Sequence, residues 1–317
     1  MKPASDKSEI VAAIPVACSH EPAAAEFLER MRWGDEPKCP ECQSTNVYKM
    51  ASRTGERHKR YLWRCRGCNK QYTVRVGTVM EDSQIPMRHW CYAFWAACAS
   101  KKGVSALQIK RQTGLTYKSA LFLMHRIRHA MSDVGEPQPR LSGVIEADET
   151  YVGGKPRVRG TRKRGRGTTK APVFALVERG GRVRAWTVTK VTAKNLRNMI
   201  VETTDPSSRF MTDESNLYFG VGKEFEGGHE SVKHSIGEYV RGDAHTNTVE
   251  GFFSLVKRGM YGTFHAVSKK HLHRYLDEFA FRYNQRHVED GARVHAAITG
   301  AEGKRLLYRQ PVAGEKA

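Results

Sequence analysis

Four of the seven cysteines form two knuckles of the same spacing, Cys39-Pro-Glu-Cys42 and Cys65-Arg-Gly-Cys68, with 22 residues between them. A C-x-x-C loop lets two thiolates converge on one ion, and two such loops complete a tetrahedron. The spacing therefore predicts one structural zinc on Cys39, Cys42, Cys65 and Cys68. A disulfide framework or a redox pair would use the same residues, but a chain of 317 residues is too long to need disulfide staples. Unoxidised thiols imply a reducing compartment, the cytoplasm.

The second set of chemistry-bearing residues is acidic. Asp148 lies in a strand-like run, Val144–Val152, with Glu146 and Glu149 beside it. A regular strand puts Glu146, Asp148 and Thr150 on one face and Glu149 on the other. Asp213 closes a second strand-like run from Arg209. Glu250 falls early in Asn247–Arg258, where Val249, Phe252, Phe253 and Val256 make a helical apolar stripe and Glu250, Ser254 and Lys257 share the adjacent face. Three carboxylates held together repel one another unless a cation sits among them. Hard oxygen ligands favour magnesium or manganese, and a pair of such ions is the usual apparatus for displacement at phosphorus. Lys257 would then meet a phosphate. Two of these acids also have a bland role. Asp213 could cap a helix, and Asn247-x-x-Glu250 is a capping-box pattern with Glu250 at the third helical position.

These residues need elements to hold them. Arg60–Arg64 and Lys70–Val76, rich in aromatic and β-branched residues, predict strands that complete a zinc ribbon. From Met87 the period becomes helical, and Trp90, Phe94, Ala97 and Cys98 form a core-facing stripe, which makes Cys91 and Cys98 packing thiols. A helix from Ser105, the turn Thr113-Gly-Leu115 and a second helix over Thr116–Arg128 follow the helix-turn-helix layout, with Lys118, Arg126 and Arg128 as DNA contacts. Gly135–Arg140 is a linker. Pro172–Val177 and Arg182–Val188 flank Glu178-Arg-Gly-Gly181 as a hairpin. A helix over Ala193–Val201 then precedes the Asp213 strand, which gives an α/β layered domain.

Charge points to the partner. Lys and Arg number 53 against 33 Asp and Glu, a net charge of +20 that draws the protein to a polyanion, above all nucleic acid. No run approaches the ~20 apolar residues of a membrane span. Lys155–Lys170 carries eight Lys or Arg and no acid, and Arg162, Lys163, Arg164 and Arg166 are its expected phosphate contacts.

On these motifs the chain resembles a bacterial insertion-sequence transposase of the DDE class, from the group that begins with a zinc ribbon. The resemblance runs from about Pro22 to Arg286. It is carried by Arg32-Trp33 ahead of the first knuckle, by Asp148-Glu-Thr-Tyr-Val-Gly-Gly-Lys155, and by His245-Thr-Asn-x-x-Glu250 followed by Lys257-Arg-Gly259. His271-Leu-x-Arg-Tyr-Leu-x-Glu-Phe-x-Phe-Arg-Tyr-Asn-x-Arg286 completes it. It implies an RNase H-like, retroviral-integrase-like catalytic fold. The catalytic residues would be Asp148, Asp213 and Glu250, with 36 residues between the last two, and the basic residue would be Lys257. Members of the group vary at the third position, so Asn247 stays a candidate. The resemblance also implies Mg²⁺ (or Mn²⁺), two ions per site, and cutting and joining of the element's own ends. His245, His265, His271 and His273 become packing or phosphate contacts rather than a second metal site.

The expected organisation is a flexible tail over 1–21, a short helix and zinc ribbon over 22–78, and a helix-turn-helix region over 79–134. A linker over 135–140, an RNase H-like domain over 141–290 and a C-terminal tail over 291–317 complete it. Its partners are double-stranded DNA, both inverted terminal repeats and target, and a second copy, since two ends must be paired. The expected location is the bacterial cytoplasm, at the nucleoid. Two other functions use the same features: a DNA-binding regulator without catalysis, and a structure-selective nuclease that cuts but never joins.

Overall fold

Short strands are all that the two cysteine loops leave room for. In the computed structural model, which describes residues 4–135, 137–154 and 168–308, β1 (Val47–Lys49), β2 (Trp63–Cys65) and β3 (Gln71–Tyr72) pair as a three-stranded antiparallel sheet. Gln43 and Asn69, which directly follow the two knuckles, both take left-handed backbone at φ 59°. That turn lets the N–H of Cys39 donate to the Ser44 carbonyl and the N–H of Cys65 to the Lys70 carbonyl, each at 3.0 Å. Trp33 and Trp63 meet edge to face behind the cysteines.

Helices α1 (Ala4–Ser19), α2 (Glu21–Trp33), α3 (Met87–Ala99), α4 (Ala106–Thr113) and α5 (Tyr117–Ala130) belong to the same compact unit, Met1–Val134 with Val288–Ala317. The expected stripe of α3, Trp90, Phe94, Ala97 and Cys98, is fully buried. Ser105 caps α4 by accepting from the Gln108 amide, and Gly114 ends it at φ 73°. Thr116 then caps α5 by accepting from the Ser119 amide.

The second unit, Gly135–His287, is a mixed α/β layer structure. Strands β4 (Val144–Val152), β5 (Ala171–Glu178), β6 (Val183–Thr187), β7 (Arg209–Asp213) and β8 (His229–Val232) form one sheet in the order β6-β5-β4-β7-β8. The hairpin side is antiparallel, while β4, β7 and β8 run parallel. On one face α6 (Ala193–Thr203) buries Leu196 and Ile200 against Ile145, Ala147, Phe174 and Phe210. On the other, α7 (Asn247–Gly259) and α8 (Leu272–Asn284) pack Val249, Phe252, Val256, Leu276 and Phe279 onto Val173, Ala175 and Val177. Alternation along each strand supplies both cores, so the sheet is sandwiched. Among the described residues no helix is long and apolar enough to cross a membrane.

Both expected tails differ. Within 1–21, Ile10, Ala13, Ile14, Ala17 and Cys18 recur at helical spacing, and α1 buries Ile14 and Ala17. An alanine-rich composition that reads as solvent-loving is also strongly helix-forming. Within 291–317, α9 (Asp290–Thr299) returns to the first unit and buries Val294, Ala297 and Ile298. The Arg293 guanidinium fixes it there by donating to the Cys98 carbonyl at 3.0 Å.

Candidate functional site

In the ribbon, the four cysteine sulfurs lie within 4.8 Å of one another. Cys39 and Cys68, and likewise Cys42 and Cys65, stand 3.6 Å apart. A tetrahedron with Zn–S of about 2.3 Å has edges of about 3.8 Å, so the four sulfurs fit a zinc ion. Amides of Cys68 and Gly67 favour the thiolate of Cys65 and pull it down to about 6. This is a closed, structural site.

The acidic site is assembled by the parallel pairing of β4 with β7. Their register pairs Val144 with Arg209, Ile145 with Phe210 and Glu146 with Met211. The pairing ends there, and Asp148 and Asp213 each lie two residues beyond its last pair. The Asp148 carboxylate accepts from the Glu149 amide at 2.7 Å. Its acidity reports its neighbours. Burial first, then Glu149, Asp213 and Glu250, push Asp148 from 3.8 up to about 8. Asp213 is also raised, by burial first, with Glu214 and Glu250 adding to it and the Ser215 amide and His234 opposing. Glu250 projects from the exposed side of α7, while Val249, Phe252, Phe253 and Val256 are buried. Lys257 lies two turns further on and is half-buried. Among the described residues only the cysteines converge to within 4.8 Å as a group of three or more ligands, so the acids are electrostatic neighbours standing apart. Such an arrangement suits cations between them, since burial and like charge oppose ionisation of all three.

The other acids of β4 are occupied. Glu149 points to the opposite face, where the Tyr218 hydroxyl donates to it at 2.6 Å. Glu146 is fully buried and caps α7 from the sheet. Its Oε2 accepts from the amides of Thr248 at 2.8 Å and Val249 at 3.0 Å.

That arrangement overturns the capping box. Asn247 is already inside α7, and the residue before the helix, Thr246, makes no side-chain cap. Thr246 Oγ1 instead donates to Glu250 Oε1 at 3.0 Å. Glu250 is thereby released from the local backbone, because a carboxylate from β4 does the capping. His234, unremarked in the sequence, stands with Nε2 at 3.9 Å from Glu250 Oε1. Its signal was a histidine after β8 in a chain whose acids lie elsewhere, which spacing cannot connect. Of the histidines considered as a second metal site, His245 places Nδ1 at 3.2 Å from Glu146 Oε1. Among the described residues no histidine cluster converges.

The expected DNA contacts on α5 divide. Lys118 is exposed, and its ammonium lies 4.8 Å from the centre of the Tyr308 ring. Arg126 and Arg128 are corrected: they are 6% and 1% exposed and cannot reach DNA. Arg126 donates instead to the Glu81 carbonyl at 2.9 Å and the Leu306 carbonyl at 3.2 Å. Their face of α5 is the one that packs inward with Leu123, Met124 and Ile127. Arg162, Lys163, Arg164 and Arg166 lie outside the described residues.

Comparison with known proteins finds relatives for both units. Residues 19–71 match the model of a transposase zinc-ribbon domain, and residues 140–284 match that of an ISXO2-like transposase domain. The chain is also 30% identical over 272 residues to an uncharacterised protein in the transposable element ISH50 of Halobacterium salinarum. That alignment covers 82% of this chain and 89% of the relative.

Proposed function

Since the chain belongs to the family of ISXO2-like transposases, we propose that it cuts DNA at the inverted terminal repeats of its insertion sequence. It then joins the freed 3′-hydroxyl ends to target DNA. The observation that supports this best is the electrostatic conflict at Asp148, which burial and the charges of Glu149, Asp213 and Glu250 push up to about 8. A buried carboxyl so perturbed, beside two further acids, is a functional-site candidate whose charge conflict a bound cation would relieve.

We read the second unit as RNase H-like, with Asp148, Asp213 and Glu250 as holders of two Mg²⁺ or Mn²⁺ ions. When bound, such ions activate an attacking hydroxyl and stabilise the leaving oxygen at phosphorus. The chain's own residues do the rest. The sheet and α7 fix the three carboxylates on different elements, so the gap between them is set by packing rather than by a flexible loop. Lys257, on the same side of α7 as Glu250, meets a phosphate oxygen. Arg162, Lys163, Arg164 and Arg166 neutralise backbone phosphates without regard to sequence. The ribbon and the α4–α5 pair, with Lys118 at its open end, recognise the terminal repeats, and a homodimer or higher oligomer brings two ends together.

The test is Glu250→Gln beside Asn247→Ala, with Mg²⁺-dependent nicking and joining of a duplex carrying the element's end. Glu250→Gln is expected to fold and bind the duplex but neither nick nor join it. Asn247→Ala, at a position that caps nothing, should melt and cleave like the parent. Normal nicking by Glu250→Gln with inactive, folded Asn247→Ala would move the third ligand to Asn247. Cutting without joining by the parent would make the protein a nuclease, and binding without cutting a regulator.

A further inference from the structure

We propose that Glu146 is the positioning residue of the acidic site: it sets the distance between Asp148 and Glu250 by tying the first turn of α7 to strand β4. The inference rests on the reading of Asp148, Asp213 and Glu250 as the metal-holding acids. It assigns to Glu146 a task that none of them performs.

Glu146 sits two residues before Asp148 on the same face of β4. Its carboxylate is 0% exposed, and both oxygens are fully engaged. Oε2 accepts from the amides of Thr248 and Val249, the two residues just before Glu250. Oε1 accepts from Thr248 Oγ1 at 2.8 Å and from Arg179 Nε at 2.6 Å, and His245 Nδ1 lies 3.2 Å away. A carboxylate with every lone pair occupied has none left for a metal, so Glu146 cannot itself be a ligand. What it can do is hold the helix. The amide pair at an α-helix N-terminus is a natural anion site, and here the anion is supplied from the neighbouring strand.

Arg179 extends the tie to the segment leading into α7. Its remaining nitrogens donate to the Asp243 carbonyl at 2.7 Å and the His245 carbonyl at 2.9 Å. One guanidinium thus fastens β4 and the approach to α7 together. The path from Asp148 to Glu250 through this tie is short and built of charge-assisted hydrogen bonds. Through the chain it is about a hundred residues long. On top of the packing of α7 against the sheet, Glu146 and Arg179 thus set where the start of α7, and with it Glu250, stands relative to Asp148.

Outer residues that orient ligands typically change metal affinity or activity by about 10–100-fold when replaced. In Glu146→Gln the side chain keeps its shape, but one oxygen becomes an NH₂ that cannot accept from Arg179 or from the α7 amides. The experiment uses the full, zinc-loaded chain. Mn²⁺ binding is followed by electron paramagnetic resonance without DNA, and single-turnover nicking is followed over a range of Mn²⁺ concentrations. Glu146→Gln should bind Mn²⁺ roughly 10–100-fold more weakly, keep parental affinity for the duplex, and regain nicking as Mn²⁺ is raised. Glu250→Gln should stay inactive at every concentration. Arg179→Lys keeps the positive charge but loses the two carbonyl contacts, and should shift Mn²⁺ affinity in the same direction by less. A Glu146→Gln protein that melts lower yet binds Mn²⁺ as the parent does would overturn the proposal. If that variant does not fold, parental Mn²⁺ affinity in Arg179→Lys overturns it. Parental affinity in Asp148→Asn would instead sink the reading of the acids themselves.

Discussion

Asp148→Asn should stabilise the protein while destroying its cation site, and the size of the effect follows from the structure. Burial and the neighbouring carboxylates hold Asp148 at about 8 in the fold, against an ordinary value of 3.8. Because the folded value is the higher one, the contribution to stability is fully present below pH 4 and is lost as pH rises towards 8. Between these limits the unfolded chain has released its proton and the fold has not, at about 1.4 kcal/mol per pH unit. By pH 7 the loss is roughly 4 kcal/mol, and it levels off above pH 8. Asparagine keeps the size of the side chain and an oxygen to accept the Glu149 amide, but it has no charge to bury. For a unit of this size the variant should melt on the order of 10 °C higher at pH 7 to 8. The gain should vanish near pH 4. The assay is thermal melting of zinc-loaded protein between pH 4 and 9, without and with Mg²⁺ or Mn²⁺. Added cation should raise the parent and leave Asp148→Asn unmoved. Parent and variant melting in parallel over the whole pH range would refute the proposed charge conflict.

Two further expectations concern the first unit. Purified protein should carry one zinc per chain, and Cys65→Ser should lose both the metal and the circular-dichroism signal of the folded ribbon, because binding energy is folding energy there. Elemental analysis finding well-folded protein without zinc would end that assignment. Arg126→Met should cost roughly 3 kcal/mol through its two lost carbonyl contacts, read as a lower melting temperature. Lys118→Ala should instead leave melting unchanged and lower the salt slope of DNA binding by about one unit. The reverse pattern would mean that α5 presents its other face.

The zinc site was legible because each knuckle is local. Three bonds' worth of loop brings its cysteines together, and no distant contact is needed to say so. The core stripes of α3 and α7 were legible for the same reason, since helical period alone selects Trp90, Phe94, Val249 and Phe252 for burial. Extended runs such as Val144–Val152 and Arg209–Asp213 could likewise be read from side-chain type. Local rules failed where a charge finds its partner far along the chain. Arg126 reads as a DNA contact until the carbonyls of Glu81 and Leu306 are seen beside it. Asn247-x-x-Glu250 reads as a capping box until Glu146 arrives from a strand about a hundred residues earlier. Residue type and local spacing thus fix which residues can bind zinc, which can bury, and which acids are available. The tertiary structure decided which acid faces which, because the parallel register of β4 with β7 and the tie from Glu146 to α7 exist only once the sheet has formed. Hydrogen-bonding capacity is written in residue types, but the partner that satisfies it is chosen by the fold.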